Sequence, residues 1–445
     1  MKKLILTLMV LLLTLGMVFA GGRQESTDEP EGPVRIQWWF AHGGRLGEKV
    51  QEIADTYNKS QDEVFVEAVY KGNYAETMTS GIAAYRSGDP PHILQVYEVG
   101  TATMMAAREA IVPVYEVMEN SGQPFDPNVY IPTVTGYYTT PDGQMLSLPF
   151  NSSTPVLYYN KEAFREAGLD PNKPPRTWPE VEKYARELVK VGYKGFSTAW
   201  ISWIHIENFS AWHNIPLATR ANGFEGLDAE LVYTSRDHVK HIKALADWQA
   251  DNIFEYGGRT NVGNALFNAG EVAMYTESSA GYAGFKANAD FEFGVSMLPY
   301  WPGMGDAPQN TIIGGASLWV MNGHSDREYE AVAKFFNYLS SPEVQADWHQ
   351  FSGYLPITEA AYELTKSQGF YEENPGTETS LKQMLLNAPT ENSRGLRLGN
   401  YSQIRDIHYE ELEAIFNGDK TAEQGLRDAA QRGNRLLREF EQANQ

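Results

Sequence analysis

The sequence contains no cysteine. This absence excludes disulfides, thiolate nucleophiles, iron–sulfur clusters and cysteine-ligated zinc, so any chemistry must use oxygen and nitrogen side chains. Basic residues are also scarce, because 36 Lys and Arg stand against 57 Asp and Glu, for a formal net charge of −21. With no long basic stretch, wrapping of nucleic acid and docking to an anionic membrane have no electrostatic support. We therefore expect no nucleic-acid partner.

Familiar catalytic motifs are missing as well: the sequence has no HExxH, no GxSxG, no P-loop and no GxGxxG after a predicted strand. His238 and His241 have the i, i+3 spacing of a helical metal site, but the spacing supplies no third ligand, and we interpret them as part of a solvated helix face. The paired carboxylates of a glycosidase cannot be recognised in one dimension. We predict no cofactor, no metal and no enzymatic activity, with an exported phosphodiesterase or glycosidase as the alternative.

The one long apolar run stands at the N-terminus. Met1-Lys2-Lys3 precedes a mostly apolar stretch from Leu4 to Phe19 and the small-x-small pattern Val18-Phe19-Ala20. This arrangement predicts a signal peptide over residues 1–20, with an uncleaved membrane anchor as the alternative. Residues 21–33, GGRQESTDEPEGP, predict an acidic tether. We therefore expect export to a bacterial periplasm.

From residue 34 onward, short apolar runs alternate with segments of helical period, which predicts an α/β fold. A chain of 445 residues exceeds the roughly 250–300 residues that one hydrophobic core serves, so we expect at least two lobes. The polar run 151–154 separates two predicted strands, Met145–Phe150 and Val156–Tyr159, and is a candidate hinge. Four capping patterns predict helix starts, namely Thr177/Glu180, Ser325/Glu328, Ser340/Glu343 and Thr421/Gln424.

Three further patterns suggest a binding site. Residues 394–405 carry three arginines and no acid, which fits an anion site or a solvated loop. Gly314-Gly315 after an apolar run would expose backbone N–H groups or would mark a strand bend. Trp200, Trp203 and Trp212 stand in a poorly periodic segment and form either a ligand wall or core packing.

Long sequence blocks across the mature chain resemble the glycerol-3-phosphate-binding branch of the extracellular solute-binding proteins of the maltose-binding type. The blocks are KGNY at 71–74, LQVYEVGTAT at 94–103, PFNSSTP at 149–155, ENFSAW at 207–212, APQN at 307–310, GGASLWV at 314–320, GYLPIT at 353–358 and GLRLGN at 395–400. The resemblance implies a type II periplasmic binding protein fold, with hinge-linked lobes around a ligand cleft. It also implies that the chain captures glycerol-3-phosphate or glycerophosphodiesters such as glycerophosphocholine, and delivers them to the permease subunits of an ABC importer. The lobes we expect are 34–150 with 314–353, and 151–313 with 354–445.

The resemblance also implies a ligand-binding set. Glu98 would accept hydrogen bonds from the glycerol hydroxyls, Arg405 would be the charge partner of the phosphate, and the Gly315 amide would donate to it. Trp200 and Trp203 would flank the glycerol or an attached head group. The remaining members of the set are Tyr74, Ser153, Ser278 and Tyr354.

One segment departs from the family pattern. Tyr275-Thr276-Glu277 is bulkier and more acidic than the small residues typical there. Glu277 would repel a phosphate unless it points to solvent, and it could favour a cationic head group. A neutral oligosaccharide, which needs neither Arg405 nor the Gly315 amide, remains the alternative ligand.

Overall fold

The computed structural model describes residues 32–140 and 142–445. The predicted signal peptide and nearly all of the tether lie outside these residues. Across the described ranges, no helix combines the length and the apolar character needed to cross a membrane.

Eleven strands are described. They are β1 Val34–Phe40, β2 Val64–Tyr70, β3 Ile93–Tyr97, β4 Ile111–Val112, β5 Leu148–Ser153, β6 Pro155–Asn160, β7 Lys194–Thr198, β8 Phe254–Tyr256, β9 Val272–Ser278, β10 Phe293–Ser296 and β11 Gly314–Met321. They form two sheets, and each mixes parallel and antiparallel pairs. The first has the order β2-β1-β3-β11-β4, with β5 paired to β11, and the second has the order β10-β6-β9-β7-β8.

Helices cover the sheets and fill most of the C-terminal third, as the sequence predicts. They are α1 Gly44–Ser60, α2 Tyr74–Ser87, α3 Thr101–Ala106, α4 Val114–Asn120, α5 Pro132–Tyr138, α6 Lys161–Glu166, α7 Trp178–Lys190, α8 Phe209–Trp212, α9 Arg236–Ala250, α10 Asn264–Asn268, α11 Tyr282–Asn288, α12 Asp326–Leu339, α13 Pro342–Ser352, α14 Glu359–Ser367, α15 Phe370–Glu373, α16 Thr379–Met384, α17 Tyr401–Phe416 and α18 Ala422–Asn444. A π-helix, Trp203–Asn208, precedes α8.

The capping patterns mostly mark true helix starts. Thr177 and Ser325 open α7 and α12 with complete capping boxes, and Thr421 caps α18. The Ser340/Glu343 pattern also precedes a helix, but the cap residue is Ser341, because Pro342 is the first residue of α13.

The chain passes between the sheets at adjacent points. Thr154 alone separates β5 of the first sheet from β6 of the second, so the polar run 151–153 belongs to a strand rather than to a loop. The return passage lies between β10 and β11, and the Thr154 and Thr311 hydroxyls join the two passages at 2.5 Å. A third passage follows α13, where the Leu355 N–H donates to the Ser152 carbonyl at 2.7 Å.

His238 and His241 are buried, which corrects their interpretation as a solvated helix face. They stand on the inner side of α9, where Trp301 Nε1 donates to His241 Nδ1 at 3.0 Å. His241 Nε2 therefore carries the hydrogen and donates to His205 Nδ1 at 3.0 Å, and His205 Nε2 donates to Thr198 Oγ1 at 3.0 Å. His241 thus belongs to a buried hydrogen-bond chain of neutral imidazoles, and His238 is held separately by the hydroxyls of Ser210 and Ser235.

Burial lowers the pKa of His205 and of His238 to about 3 and that of His213 to about 4. In the unfolded chain these groups take up protons near pH 6.5, whereas in the folded chain they do not. We therefore expect the free energy of unfolding to fall as the pH drops from 6.5 to 4, by up to about 1.4 kcal/mol per pH unit for each such histidine. Denaturant titrations across this range measure the slope.

His238→Gln should flatten that slope, and His324→Gln, at a histidine packed beside His92, is the matched control. Equal slopes in the parent and in His238→Gln would contradict the assignment.

Candidate functional site

A cavity of about 660 Å³ is lined by residues of both sheets. Its walls come from the carboxyl ends of β3, β7 and β9, the start of β11 and one face of α17, a placement typical of ligand sites in α/β proteins. The structure brings together in this wall all nine residues that the resemblance singles out, namely Tyr74, Glu98, Ser153, Trp200, Trp203, Ser278, Gly315, Tyr354 and Arg405. Their contacts with a ligand stay a prediction.

Hydroxyl groups occupy the wall beside α2. The Tyr74 hydroxyl accepts a hydrogen bond from Asn151 Nδ2 at 2.9 Å and lies 3.4 Å from the Tyr354 hydroxyl. His42 Nε2 lies 3.0 Å from the Tyr354 hydroxyl. Burial raises the pKa of Tyr354 to about 12 and lowers that of His42 to about 4. This wall therefore offers neutral hydrogen-bonding groups.

The strongest electrostatic feature is a buried cluster of one cation and two anions. Arg405 on α17 binds Glu207 through two parallel hydrogen bonds, from Nε at 2.8 Å and from Nη2 at 2.6 Å. The same Nη2 donates to Glu98 at 2.6 Å. Glu98 follows β3 of the first sheet, while Glu207 lies in the π-helix that follows β7 of the second. The guanidinium therefore links residues that the two sheets position.

Burial alone would lower the pKa of Arg405, but the Glu207 and Glu98 charges outweigh it and raise the pKa well above its usual value. Burial raises the pKa of Glu98, although the Arg405 charge opposes the shift. The guanidinium is therefore always charged, and two carboxylates share that charge.

The cluster leaves part of the guanidinium available. Nε and Nη2 supply all the hydrogen bonds of Arg405 to described residues, so the two N–H groups of Nη1 take no part. Ser202 Oγ donates to Glu207 at 3.1 Å and helps to hold the carboxylate in place. The Arg405 guanidinium is thus fixed in orientation, while its Nη1 N–H groups remain available to donate.

The other two arginines of the 394–405 run lie outside the cavity wall. The guanidinium carbons of Arg394 and Arg397 lie 4.3 and 4.4 Å from the centre of the Phe224 ring. Arg397 also donates to the Gly136 carbonyl at 3.1 Å. Only Arg405 of this run therefore reaches the cavity.

Glu277 does not point to solvent, which corrects that possibility. The residue is 2% exposed and lines the cavity beside Trp200. Its Oε1 accepts from Trp200 Nε1 at 2.7 Å and from the Ser278 N–H at 2.6 Å. Burial raises the pKa of Glu277 to about 8, against the opposing effect of these donors.

The segment with three tryptophans is helical, and its poor periodicity has a structural cause. A π-helix has a wider turn than an α-helix, so the π-helix Trp203–Asn208 displaces the 3.6-residue pattern. Trp203 reaches the cavity, while Trp212 is buried and donates to the Leu298 carbonyl at 2.9 Å. Trp200 has a positive φ of 43°, an unusual conformation for a bulky residue that is often found at functional sites.

Sequence reasoning missed Glu207 as a site residue. Its signal was present, because Glu207 is the one acid in the mostly apolar run 201–212. A buried acid in such a run needs a cationic partner, but the sequence alone does not identify Arg405, 198 residues later, as that partner.

Within the described residues, one cluster has the composition of a metal site: His92, His324 and Glu328, away from the cavity. His92 Nδ1 accepts from the Gln37 N–H at 3.1 Å, so its Nε2 carries the hydrogen and donates to Glu328 at 3.2 Å. This imidazole is therefore already satisfied by protein partners.

Two lobes of α/β structure around a cavity, joined by three adjacent passages, are the architecture of the solute-binding proteins. The profile described as bacterial extracellular solute-binding protein matches residues 52–379. A Pectobacterium atrosepticum protein named sn-glycerol-3-phosphate-binding periplasmic protein UgpB is 50% identical over 428 residues, 96% of this chain and 95% of its own length. The Escherichia coli K12 protein of the same name is 48% identical over 433 residues, 97% of each chain.

Solved structures give the same fold. UgpB of Mycobacterium tuberculosis in complex with glycerophosphocholine has a TM-score of 0.76 at 22% identity, over 92% of this chain and 99% of that one. Maltose-bound MalE3 of T. maritima has a TM-score of 0.73 at 18% identity, over 91% and 100%. The chain belongs to the bacterial extracellular solute-binding proteins, and the resemblance seen in its sequence is confirmed. It is the solute-binding component of an ABC importer.

Gly315 provides a test of how the cavity wall is built. Its φ is +100°, and a Cβ there would approach the Asn151 carbonyl oxygen to 1.9 Å. Gly315→Ala should therefore lower the free energy of unfolding by about 1–3 kcal/mol. Thermal or denaturant unfolding measures the loss.

Gly284 on α11 lines the same cavity, but a Cβ there meets nothing within 4 Å. Gly284→Ala should be neutral or should stabilise by up to about 1 kcal/mol, because Ala favours the helix. Similar losses in both variants would show that Gly315 has no special backbone role.

Proposed function

We propose that the chain captures sn-glycerol-3-phosphate and glycerophosphodiesters in the periplasm and delivers them to the permease subunits of its importer. The two curated relatives carry that ligand in their names, at about half identity over nearly the whole chain. The observation that carries the proposal in the structure is the buried Arg405, fixed by two carboxylates with the Nη1 N–H groups unused.

In the proposed complex the phosphate contacts Arg405 Nη1. A guanidinium donates well to phosphate oxygens, and such charge-assisted hydrogen bonds are the strong ones. The hydroxyls of Ser153 and Ser278 and the amide of Gly315 stand in the same wall and would complete the ring of donors. The phosphate therefore adds a third anion to Arg405 without displacing the first two.

The glycerol end would meet Glu98 and the two tryptophans. Glu98 uses Oε1 for the ion pair, so its Oε2 is available to accept from the glycerol hydroxyls. Trp200 and Trp203 would cover the carbon face. This division places the charged end and the polyol end on different groups.

Capture proceeds by closure. The wall draws on both sheets, so a ligand that contacts both stabilises the closed arrangement by its differential affinity. The lobes in this mechanism are 34–150 with 314–353, and 151–313 with 354–445. Sheet membership supports that division except at its first boundary, because β5 stays in the first sheet as far as Ser153 and the chain passes to the second sheet at Thr154. The closed form is the one that the permease would recognise, and no bond of the ligand is made or broken.

Arg405→Ala tests the phosphate role. The substitution removes charged hydrogen bonds worth about 1.5–3 kcal/mol. This energy corresponds to a loss of about tenfold to a hundredfold in affinity for glycerol-3-phosphate, which is the minimum we expect. Repulsion from the unpaired Glu98 and Glu207 adds to the loss. Titration calorimetry on the folded mature protein measures it, with Arg427→Ala on the exposed face of α18 as the control. Unchanged affinity in Arg405→Ala would remove this role.

A ligand panel tests the proposal against its alternatives. Glycerol-3-phosphate and glycerophosphodiesters should raise the thermal midpoint, with about 2.7 kcal/mol of stabilisation at a concentration of 100 Kd. Maltose-type oligosaccharides should not. Stabilisation by the sugars alone would favour the oligosaccharide alternative, and steady product release from glycerophosphocholine would favour the hydrolase.

A further inference from the structure

Glu277 is a buried carboxyl group in the cavity wall that the phosphate contacts proposed above do not use. Both hydrogen bonds to it end on Oε1, and Oε2 has no hydrogen-bond partner among the described residues. The Asn264 amide is close enough to lower the pKa of the group but lies outside hydrogen-bond geometry. No Lys or Arg of the described residues forms an ion pair with Glu277, in contrast to Glu98.

A lone buried carboxyl group has two ways to avoid the cost of an uncompensated charge. It can stay protonated while the cavity is empty, and burial favours this form. Alternatively, a ligand can supply the missing cation. A second anion near Glu277 would instead increase the cost, so the proposed phosphate contact at the neighbouring Ser278 opposes ionisation of Glu277, and only a cationic group of the ligand offsets that effect.

We propose that Glu277 and Trp200 form a subsite for an ammonium group, and that this subsite makes the protein prefer glycerophosphodiesters with a cationic head group. The inference rests on the proposed function and names the ligand class within it. The Trp200 indole lies beside the carboxyl group to which it donates, and an aromatic ring next to a carboxylate is a favourable environment for a quaternary ammonium. Because a quaternary ammonium has no N–H to donate, it interacts with the negative charge of Glu277 at a distance and does not require direct contact with Oε2.

The charges of the wall fit a zwitterion. Three arginines and three acids line the cavity, the arginines being Arg45, Arg259 and Arg405, and the acids being Glu98, Glu277 and Asp406. A phosphodiester with an ammonium group has no net charge, whereas a phosphomonoester carries nearly two negative charges at neutral pH. With Glu277 ionised by a bound ammonium group, the wall is balanced in this way and favours the zwitterion.

Calorimetry with three ligands isolates the head-group charge. Glycerophosphocholine carries the ammonium, glycerophosphoglycerol is a diester without it, and glycerol-3-phosphate is the monoester. Glu277→Gln keeps the shape of the side chain and should weaken glycerophosphocholine about tenfold, while it changes the other two ligands by less than about twofold. Glu271→Gln, at an exposed acid next to the start of β9, is the matched control and should change none of them.

The pH dependence of the parent protein gives a second measurement that needs no variant. Glycerophosphocholine does not titrate between pH 6 and 9, so its affinity should rise over this range as Glu277 ionises. The titratable groups that face Glu277 are Tyr158, Tyr275 and Tyr354, and burial raises the pKa of each above this range. In Glu277→Gln the rise should disappear.

Four results would overturn the inference. Equal loss of all three ligands in Glu277→Gln would indicate a general structural role. Affinity for glycerophosphocholine that falls as the pH rises in the parent, but not in Glu277→Gln, would indicate a protonated carboxyl group that donates to the phosphate. Tight binding of glycerol-3-phosphate with no discrimination between the two diesters would reject the ammonium subsite alone, whereas absence of binding by all three ligands would reject the proposed function with it.

Discussion

The ion cluster of Arg405 with Glu98 and Glu207 is the constraint on which the cavity depends. Removing three charges from water is costly, and only close hydrogen bonds between them offset that cost. Each partner comes from a different part of the fold: the end of β3, the π-helix after β7 and the second turn of α17. The cluster is satisfied only when these three elements meet, so it couples the position of the guanidinium to the relative position of the sheets.

The elements around the cluster show why a binding wall differs from the rest of the core. The π-helix Trp203–Asn208, the positive φ of Trp200 and the left-handed Gly315 all lie in this wall. The π-helix and the Trp200 backbone are locally unfavourable, Gly315 has a conformation that suits glycine alone, and each brings a side chain or a backbone group to the cavity. Gly314 extends the pattern, because its lack of a side chain leaves room for the Trp203 indole, which a Cβ would approach to 2.5 Å.

Much of the fold could be predicted from the sequence, because its signals are local. The alternation of β1, α1, β2 and α2, and the capping boxes at Thr177 and Ser325, follow from patterns within a few residues. The family resemblance then indicated nine residues that the structure brings into one wall. These signals suffice for the architecture and for a candidate site, whose ligand contacts stay a prediction.

What could not be predicted depends on partners distant in sequence. His238 and His241 show a helical spacing that fits either solvent or the core, and only their contacts with Ser210 and His205 decide for the core. In the same way, the sequence does not show that two carboxylates bind Arg405, because they lie 198 and 307 residues away. The burial of Glu277 likewise depends on packing against Trp200 and Gly281 rather than on its neighbours in the strand.

The single residue between β5 and β6 limits how the two sheets can move. Because only Thr154 separates the two strands, they form one nearly continuous extended segment. Rotation about the backbone torsion angles of Thr154 is the most direct way for this segment to bend. The Thr311 hydroxyl braces the same point from the neighbouring passage. The joint therefore resists stretching and sliding more than bending, and any rotation at this pivot produces a displacement that grows with distance from it, so the rim of the mouth moves most.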